Sequence, residues 1–422
     1  MATALTTRSI TTLAALALAV SLPAEPTPTV TADSSVPVAP ALASPTDAGD
    51  SNWSFATRVT TTATYDDNVF IQPHGARSDV YFHLAPSLVA GIGAFRTAIA
   101  PFASIPHLLA MTGEEDLPRK DYAFLSYTPD VVIFSKYHHE DTVNHDVRLA
   151  ARKERELWSA AGEFHFQRLN DIDIDVGQRL RQTYYTADAN AWHALSGRTN
   201  ATLGFLGLRS EYSGGFASTD LRGSAGLEYQ IAPKTSVGVG ATLGHLDVRH
   251  GGGQTYEQPL LQLQYNPTGK LSFDGRFGEE FRHYNSDIPR RSRFVYALSG
   301  NYTPSDDTVV AITGQRDTTT SAEYVGENVV SDTFQGSIRQ RVLTRTYLTL
   351  AGGYVRDRYE ENRVVTPLDR RDDYAFGRLS ASRDVTTHGT VELSYEHRKN
   401  DSTFSAFSFS QNIAAVSASF LF

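Results

Sequence analysis

The sequence predicts an all-β fold, a transmembrane antiparallel up-and-down β-barrel of about 18 to 20 strands. The main observation is a hairpin that recurs three times, as LRGSAGLEYQIAPKTSVGVGATL, LLQLQYNPTGKLSFDGRFG and FVYALSGNYTPSDDTVVAITG. Each copy has an alternating strand that ends near a tyrosine, a short turn with a proline, and a second alternating strand. A period of roughly 36 residues matches two strands of about ten residues and two connections.

The second observation is the strict alternation within these strands. Leu221, Leu227 and Tyr229 share one face of the first copy with Gly223 and Ala225, whereas Arg222 and Glu228 share the other. Alternate residues of a strand lie on opposite sides of a sheet. An apolar face that includes Gly and Ala is too small to fill a close-packed soluble core, but it suits contact with lipid. Aromatic residues close to the turns are typical of the membrane interface, and the members of this series are Tyr127, Tyr229, Tyr265 and Tyr302.

Composition excludes several other classes of protein. The chain has 422 residues and no apolar run near the ~20 residues of a membrane helix, which excludes an α-helical membrane protein. A net charge of −9 argues against nucleic acid as a partner. The absence of cysteine rules out disulfides and thiolate metal sites. No cofactor and no catalytic site are predicted.

The first residues are typical of an export signal, with Arg8 followed by a short apolar segment that ends in small residues. We predict a signal peptide over 1–24, with Ala43 as an alternative cleavage site, and a flexible periplasmic leader over 25–52. The barrel then occupies 53–422. The predicted location is the Gram-negative outer membrane, with both termini in the periplasm.

Three further stretches enter the strand count, and the last of them leaves it open. FRTAIAPFASIPHLLA, over 95–110, reads as a strand that follows a tight turn near Gly93. Tyr127 and Pro129 repeat the Tyr-x-Pro spacing and predict another turn. The region from Lys136 to Arg168 is read as one long strand or as strands interrupted by a short helical piece around Lys153 to Ser159. The count is about 20, or about 18 if this region is merged with its neighbours.

Charged residues at the alternate positions that face inward predict a water-filled lumen. In LNDIDIDVGQRLRQ, the pattern predicts two sets of residues. The outward set is Ile172, Ile174, Val176 and Leu180, and the inward set is Asp173, Asp175, Arg179 and Arg181. The predicted lumen-facing residues are Asp173, Asp175, Arg179, Arg222, Glu228, Asp274, Arg276, Arg339, Arg341, Glu392, Glu396 and Arg398. Their mixed signs favour a broad polar solute over a single ion type. Pairs such as Arg222 with Glu228, or Glu392 with Arg398, are expected to narrow the pore.

Two clusters contain residue types that bind metal ions. Asp66, Asp67 and Asn68 offer oxygen ligands for Ca²⁺, although such residues more commonly form a turn at a strand end. His138, His139, Glu140, Asp141 and His145 form the second cluster, but their spacing does not converge, which favours a solvated loop. The sequence therefore predicts no metal site.

The motif YDDNVF, over Tyr65 to Phe70, together with the repeated hairpins and the alternating end in Phe420 and Phe422, resembles the β-barrel porin 2 family. The resemblance covers roughly Trp53 to Phe422. It implies an outer-membrane barrel associated with secretion of exopolysaccharide or capsule. It also implies that the terminal phenylalanines are a signal for the barrel-assembly machinery.

The function predicted at this stage is an outer-membrane channel, a passive conduit in polysaccharide secretion. The alternatives are a general diffusion porin and a structural or adhesive barrel with a closed lumen. Short loops favour the channel, because they leave little material for a plug. The expected partners are outer-membrane lipid and lipopolysaccharide, the assembly machinery, polysaccharide and periplasmic export proteins.

Overall fold

Eighteen antiparallel strands form a closed barrel in the computed structural model, which describes residues 31–32, 53–93, 121–285, 289–360 and 369–422. Each strand pairs with its neighbour in sequence, and β19 pairs with β2 to close the ring. A two-residue strand, β1, pairs with the end of β6 and is not part of the ring. Among the described residues no helix is long and apolar enough to cross a membrane.

The strands have 13 to 17 residues apart from β1. Their bounds are β1 Thr31–Ala32, β2 Ser54–Asp66, β3 Asp79–Gly93, β4 Tyr122–Phe134, β5 Thr142–Glu154, β6 Trp158–Asp173, β7 Gln178–Ala194, β8 Thr199–Tyr212, β9 Ala217–Ala232, β10 Thr235–Val248, β11 Gly252–Thr268, β12 Leu271–Tyr284, β13 Arg291–Ser305, β14 Thr308–Thr320, β15 Asn328–Leu343, β16 Thr346–Glu360, β17 Arg371–Asp384, β18 Gly389–Ser402 and β19 Phe409–Leu421. Ser54 and Leu421 lie at the same end of the barrel, which we call the terminal end; the opposite end is the far end.

The two faces of the wall differ as the alternation predicts. On β9, Leu227 and Tyr229 are 50% and 47% exposed, whereas Arg222 on the other set is 7% exposed. On β18, Val391, Leu393 and Tyr395 are exposed, and Glu392, Ser394 and Glu396 are buried. A barrel with an apolar outside and a polar inside is the architecture of a transmembrane barrel. The predicted fold class is therefore confirmed, with 18 strands in the ring.

The region from Lys136 to Arg168 contains two strands and not one. β5 ends at Glu154, β6 begins at Trp158, and Arg155 N donates to Trp158 O at 2.8 Å to close the turn between them. The predicted helical piece is wrong. Residues 155–157 break the alternation because they form a turn at the terminal end, where no face has to meet lipid.

The predicted turn at Tyr127 and Pro129 is also wrong, because β4 continues through both residues to Phe134. Pro129 is accommodated by a gap in the pairing of β3 with β4. The paired positions on either side of the gap place Pro86 and Pro129 opposite each other. Neither proline has an N–H to donate, so the two share one interruption of the ladder. Sequence spacing alone cannot distinguish such a gap from a turn.

The predicted strand over 95–110 lies outside the described residues. β3 pairs directly with β4, from Gly93 opposite Tyr122 to Tyr81 opposite Phe134, which gives the ring its lower count. The predicted signal peptide and the leader also lie outside the described residues, apart from the backbone of Thr31 and Ala32.

Replacement of Leu243 tests the face assignment. Leu243 lies near the middle of β10 and is 61% exposed. We predict that Leu243→Arg lowers the free energy of unfolding in lipid vesicles by about 2–4 kcal/mol, because the charge enters hydrocarbon. The adjacent Thr242→Arg should lose far less, because position 242 faces the lumen. Equal losses in a urea titration of refolded protein would contradict the assignment.

Candidate functional site at the far mouth of the lumen

The tip of the β6–β7 hairpin leaves the barrel wall at the far end. The pairing of β5 with β6 stops at Arg168, and the pairing of β7 with β8 starts at Gln182. Between these positions the two strands pair with each other, up to Asp173 opposite Gln178, and β6 also pairs with the two residues of β1, which lies outside the ring. A two-stranded segment without wall neighbours is free to bend, and this tip bends over the mouth of the lumen.

Asp175 at this tip is bound by residues from the opposite side of the barrel. Ser321 Oγ donates to its carboxylate at 3.0 Å, Ala322 N at 2.6 Å and Tyr359 OH at 2.8 Å. Ser321 and Ala322 belong to the loop after β14. From β7 to β15 is eight strands, and the largest separation in a ring of 18 is nine. These hydrogen bonds therefore span the lumen.

Arg370, which precedes β17, holds the backbone of the same tip. Its guanidinium donates to Asp175 O at 2.8 Å and Ile174 O at 3.3 Å, and it pairs with Asp372 at 2.6 Å. The ring of Tyr359 lies 4.3 Å from the guanidinium carbon. Burial lowers the pKa of Arg370, but the hydrogen bond to Asp372 and the charge of nearby acids raise it by more, so the group stays charged.

An apolar cluster lies beside these polar contacts. Ile172 and Ile174 pack with Val355, Tyr374 and Phe409, and Ile71 completes the cluster from the loop after β2. The prediction that Ile172 and Ile174 face lipid is wrong. Alternation places Ile172 and Ile174 on the outer face only where the hairpin lies in the wall. Because the tip bends over the mouth, the same face packs against residues of the mouth.

Gly177 is required by the sharp turn at this tip. Its φ of +71° is a conformation that side chains with a Cβ rarely adopt, and an added Cβ would lie 2.9 Å from the ring of Phe407. The turn can therefore reach the opposite side of the barrel only with glycine at this position.

A second polar network lines the wall from β9 to β14. Arg222 pairs with Asp220 at 2.7 Å and reaches Asp317, five strands away, at 3.5 Å. Tyr256 OH donates to Asp220 at 2.8 Å. Further along, Arg282 pairs with the fully buried Glu280 at 2.9 Å. Buried charges are tolerated when each is paired, and this network satisfies that condition within the lumen.

A third network joins β17 and β18. Arg378 contacts Glu392 at 3.1 Å and Glu396 at 3.4 Å, and Arg398 donates to Glu396 at 2.5 Å. The expected pairs of Arg222 with Glu228 and of Glu392 with Arg398 are therefore replaced by other partners. The register decides this outcome, because the partners lie on neighbouring strands or two residues apart on one strand.

The remaining predicted lumen residues lie in three environments. Asp173 is fully buried at the hairpin tip, and the side chain of the half-buried Arg179 lies against Asp171 and the ring of Phe134. Glu228, Asp274 and Arg276 stay partly exposed on the inner face of β9 and β12. Arg339 stacks over Tyr347 at 4.3 Å, and Arg341 pairs with Asp307 at the terminal rim.

The predicted aromatic and terminal residues lie on the outer surface. Tyr229, Tyr265 and Tyr302 are half exposed near turns of the terminal end, whereas Tyr127 lies at mid-strand and hydrogen-bonds to His145 at 3.0 Å. Phe420 and Phe422 are exposed, and Phe422 N donates to Thr57 O at 2.7 Å. Their role as an assembly signal stays a prediction.

The two candidate metal clusters are occupied by protein contacts or dispersed. Asp66 Oδ1 accepts from Asn68 N at 2.8 Å, and Asp67 Oδ1 accepts from Asn412 N at 2.7 Å. His138 to Glu140 form a short 3-10 helix before β5, and His145 lies on the outer face of β5. Asp67, Asn68 and residues 138–141 therefore lie in turns and loops, whereas Asp66 and His145 lie on strands.

No family model matches the chain, and neither does any curated protein. Among solved structures, the chain is similar to Acinetobacter baumannii OccAB4, at 10% identity and a TM-score of 0.42, with 89% of this chain and 100% of the other covered. It is similar to Pseudomonas aeruginosa OccK2 (OpdF), at 12% identity and a TM-score of 0.45, over 88% and 98% of the two chains. Pseudomonas aeruginosa OpdQ matches at 9% identity and a TM-score of 0.43, over 88% and 97%.

The charge of Asp175 is expected to hold the loop after β14. Hydrogen bonds to a charged group contribute about 1.5–3 kcal/mol each, so Asp175→Asn should speed amide hydrogen exchange in residues 321–327 at least about tenfold. The control is Asp373→Asn, because Asp373 pairs with Arg356 on the outer face. Unchanged exchange in Asp175→Asn would contradict the spanning contact.

Proposed function

We propose that the chain is a passive channel of the Gram-negative outer membrane, with both termini in the periplasm and a mouth at the far end that opens and closes. The observation that carries this proposal is the set of contacts that Asp175 and Arg370 make across the lumen. They join the hairpin turn to two loops and to the side chain of Tyr359 on β16, and none of them is a backbone bond of the ladder, so they can break without disturbing the wall. A polar lumen closed by such contacts suits intermittent passage of solutes.

The inner wall favours a polar solute without a strong charge preference. Arginines and acids of the lumen are paired with one another, as in Arg222 with Asp220 and Arg378 with Glu392. Paired charges leave hydrogen-bonding groups but no dominant sign, which suits a glycan better than a single ion. A conduit for a secreted polysaccharide is therefore the finer proposal, and it rests on the family resemblance as well. A passive conduit of this kind would take the energy for export from other proteins.

A structural barrel with a permanently closed lumen is the second candidate. The observation in its favour is that Asp175 and Arg370 are almost fully buried, since a buried network is costly to break. The two candidates differ in whether the mouth ever opens.

Conductance of the refolded protein in planar bilayers separates the two candidates. We predict brief openings for the natural sequence and a several-fold higher open probability for Asp175→Ala, because three donors from the opposite wall lose their acceptor. Asp373→Ala, on the outer face, should conduct as the natural sequence does. Silent bilayers for all three proteins, each shown to be folded by its heat-dependent gel mobility, would support the closed barrel.

Deletion of the gene tests the solute. We predict that polymer is trapped in the periplasm or absent from the cell surface, while precursor synthesis continues. A copy of the gene that carries Leu243→Arg should not restore export, whereas one with Thr242→Arg should. Normal surface polysaccharide with slower uptake of small solutes would overturn the polysaccharide assignment and support a general diffusion porin.

A further inference from the structure

A cavity of about 490 Å³ opens where the β6–β7 hairpin leaves the wall. This volume lies within the ~300–1,000 Å³ of ordinary small-molecule sites. Its lining includes Arg168 and Arg181 of the hairpin and His145 of β5. Arg168 stands directly opposite His145 in the ladder, and Arg181 stands opposite Asn170, two residues further along. The three basic side chains therefore meet on adjacent strands.

The cavity belongs to the outer surface and not to the lumen. Ile133 and Val143, which also line it, are 50% and 46% exposed, as residues of the lipid-facing set are. His145 stacks on Tyr127, a member of the same set. The prediction that Arg181 faces the lumen is therefore wrong, because the register places Arg181 opposite Asn170, in the same outward set as Arg168 and His145.

The ion pairing of Arg168 and Arg181 differs from that of other arginines on this surface. Arg316 pairs with Asp332 at 2.6 Å and Arg356 pairs with Asp373 at 2.7 Å, both on the outer face. Neither Arg168 nor Arg181 forms an ion pair within the part of the chain that the structure describes.

One acid, Asp141, also lines the cavity, but it is engaged elsewhere. Its Oδ1 accepts from Phe134 N at 2.7 Å, and its Oδ2 lies 3.7 Å from His138. The two guanidinium groups therefore remain available to an external anion.

We propose that this cavity binds the phosphate head group of a membrane lipid. Guanidinium groups bind phosphate through paired, charge-assisted hydrogen bonds, and two of them flank the cavity. A lipid is favoured over free phosphate because Ile133 and Val143 continue the cavity into the apolar belt, where acyl chains would lie. The site is separate from the lumen and does not depend on conduction. Since phosphorylated lipid A occupies the outer leaflet, binding of this lipid also places the far end at the cell surface.

The test is binding of bisphosphorylated lipid A to the full chain in detergent, measured by native mass spectrometry. The double variant Arg168→Gln/Arg181→Gln should lose at least about tenfold in affinity. The matched control, Arg316→Gln/Arg356→Gln, removes the same charge from the same surface and should stay within about twofold of the natural sequence. Heat-dependent gel mobility establishes that each protein is folded, and the single variant Arg181→Gln serves if the double variant does not fold.

Two further probes identify the source of the phosphate. Lipid A without phosphates should bind the natural sequence and the double variant equally weakly. Inorganic phosphate at millimolar concentration should not displace bisphosphorylated lipid A. Displacement by inorganic phosphate alone would overturn the lipid assignment. Equal loss of affinity in both double variants would show only general attraction to a basic surface and would also overturn the proposal.

Discussion

The structure depends on one constraint, that every backbone N–H and C=O in hydrocarbon needs a partner within the protein. A sheet meets this constraint only by closing on itself, and β19 pairs with β2 to do so. Closure fixes which residues face lipid and which face the lumen. The inward acids and arginines then share a confined space and bind one another, as Glu280 and Arg282 do. The polar lumen follows from closure and needs no separate explanation.

The far mouth is different, because the β6–β7 hairpin leaves the wall there. Its backbone still pairs with itself, which releases Asp175 to cross the lumen. A buried carboxylate is strongly disfavoured without partners, and that of Asp175 receives donors from the loop after β14 and from Tyr359 of β16. These hydrogen bonds fix the position of the hairpin tip over the mouth. Because they are not part of the backbone ladder, they can break while the wall stays intact. The bend also opens the outer cavity beside Arg168, so one local departure from regular structure produces two candidate sites.

The wall could be predicted from the sequence because lipid enforces a period of two residues. The alternation of apolar and charged residues is enough to assign Leu227 and Leu393 to the outer face and their neighbours Glu228 and Glu392 to the inner face. Pro129 could not be interpreted in this way, since its place opposite Pro86 depends on a pairing that the sequence does not state. The turn at 155–157 was mistaken for helix because a turn has no strand period.

The mouth could not be predicted from alternation, because its contacts join residues far apart in the chain. Ser321 and Asp175 are 146 residues apart, and nothing in the sequence pairs the two. The expectation that short loops leave little material for a plug stays a prediction, and it did not consider that a hairpin tip of the wall itself can cross the mouth. A local signal does exist in the three aspartates at alternate positions before Gly177, which is an unusual charge load for a hairpin tip.

A reversible cross-link at the mouth is the most direct test of the central claim, that solutes pass where Asp175 spans the lumen. The chain has no cysteine, so Val176→Cys with Glu323→Cys introduces a single thiol pair beside the Asp175 contact. Single-channel recordings of one protein would be made with the pair joined by a short bifunctional reagent that carries a reducible bond, and again after reduction. The account predicts no openings in the joined state and openings after reduction. Equal conductance in both states would contradict it.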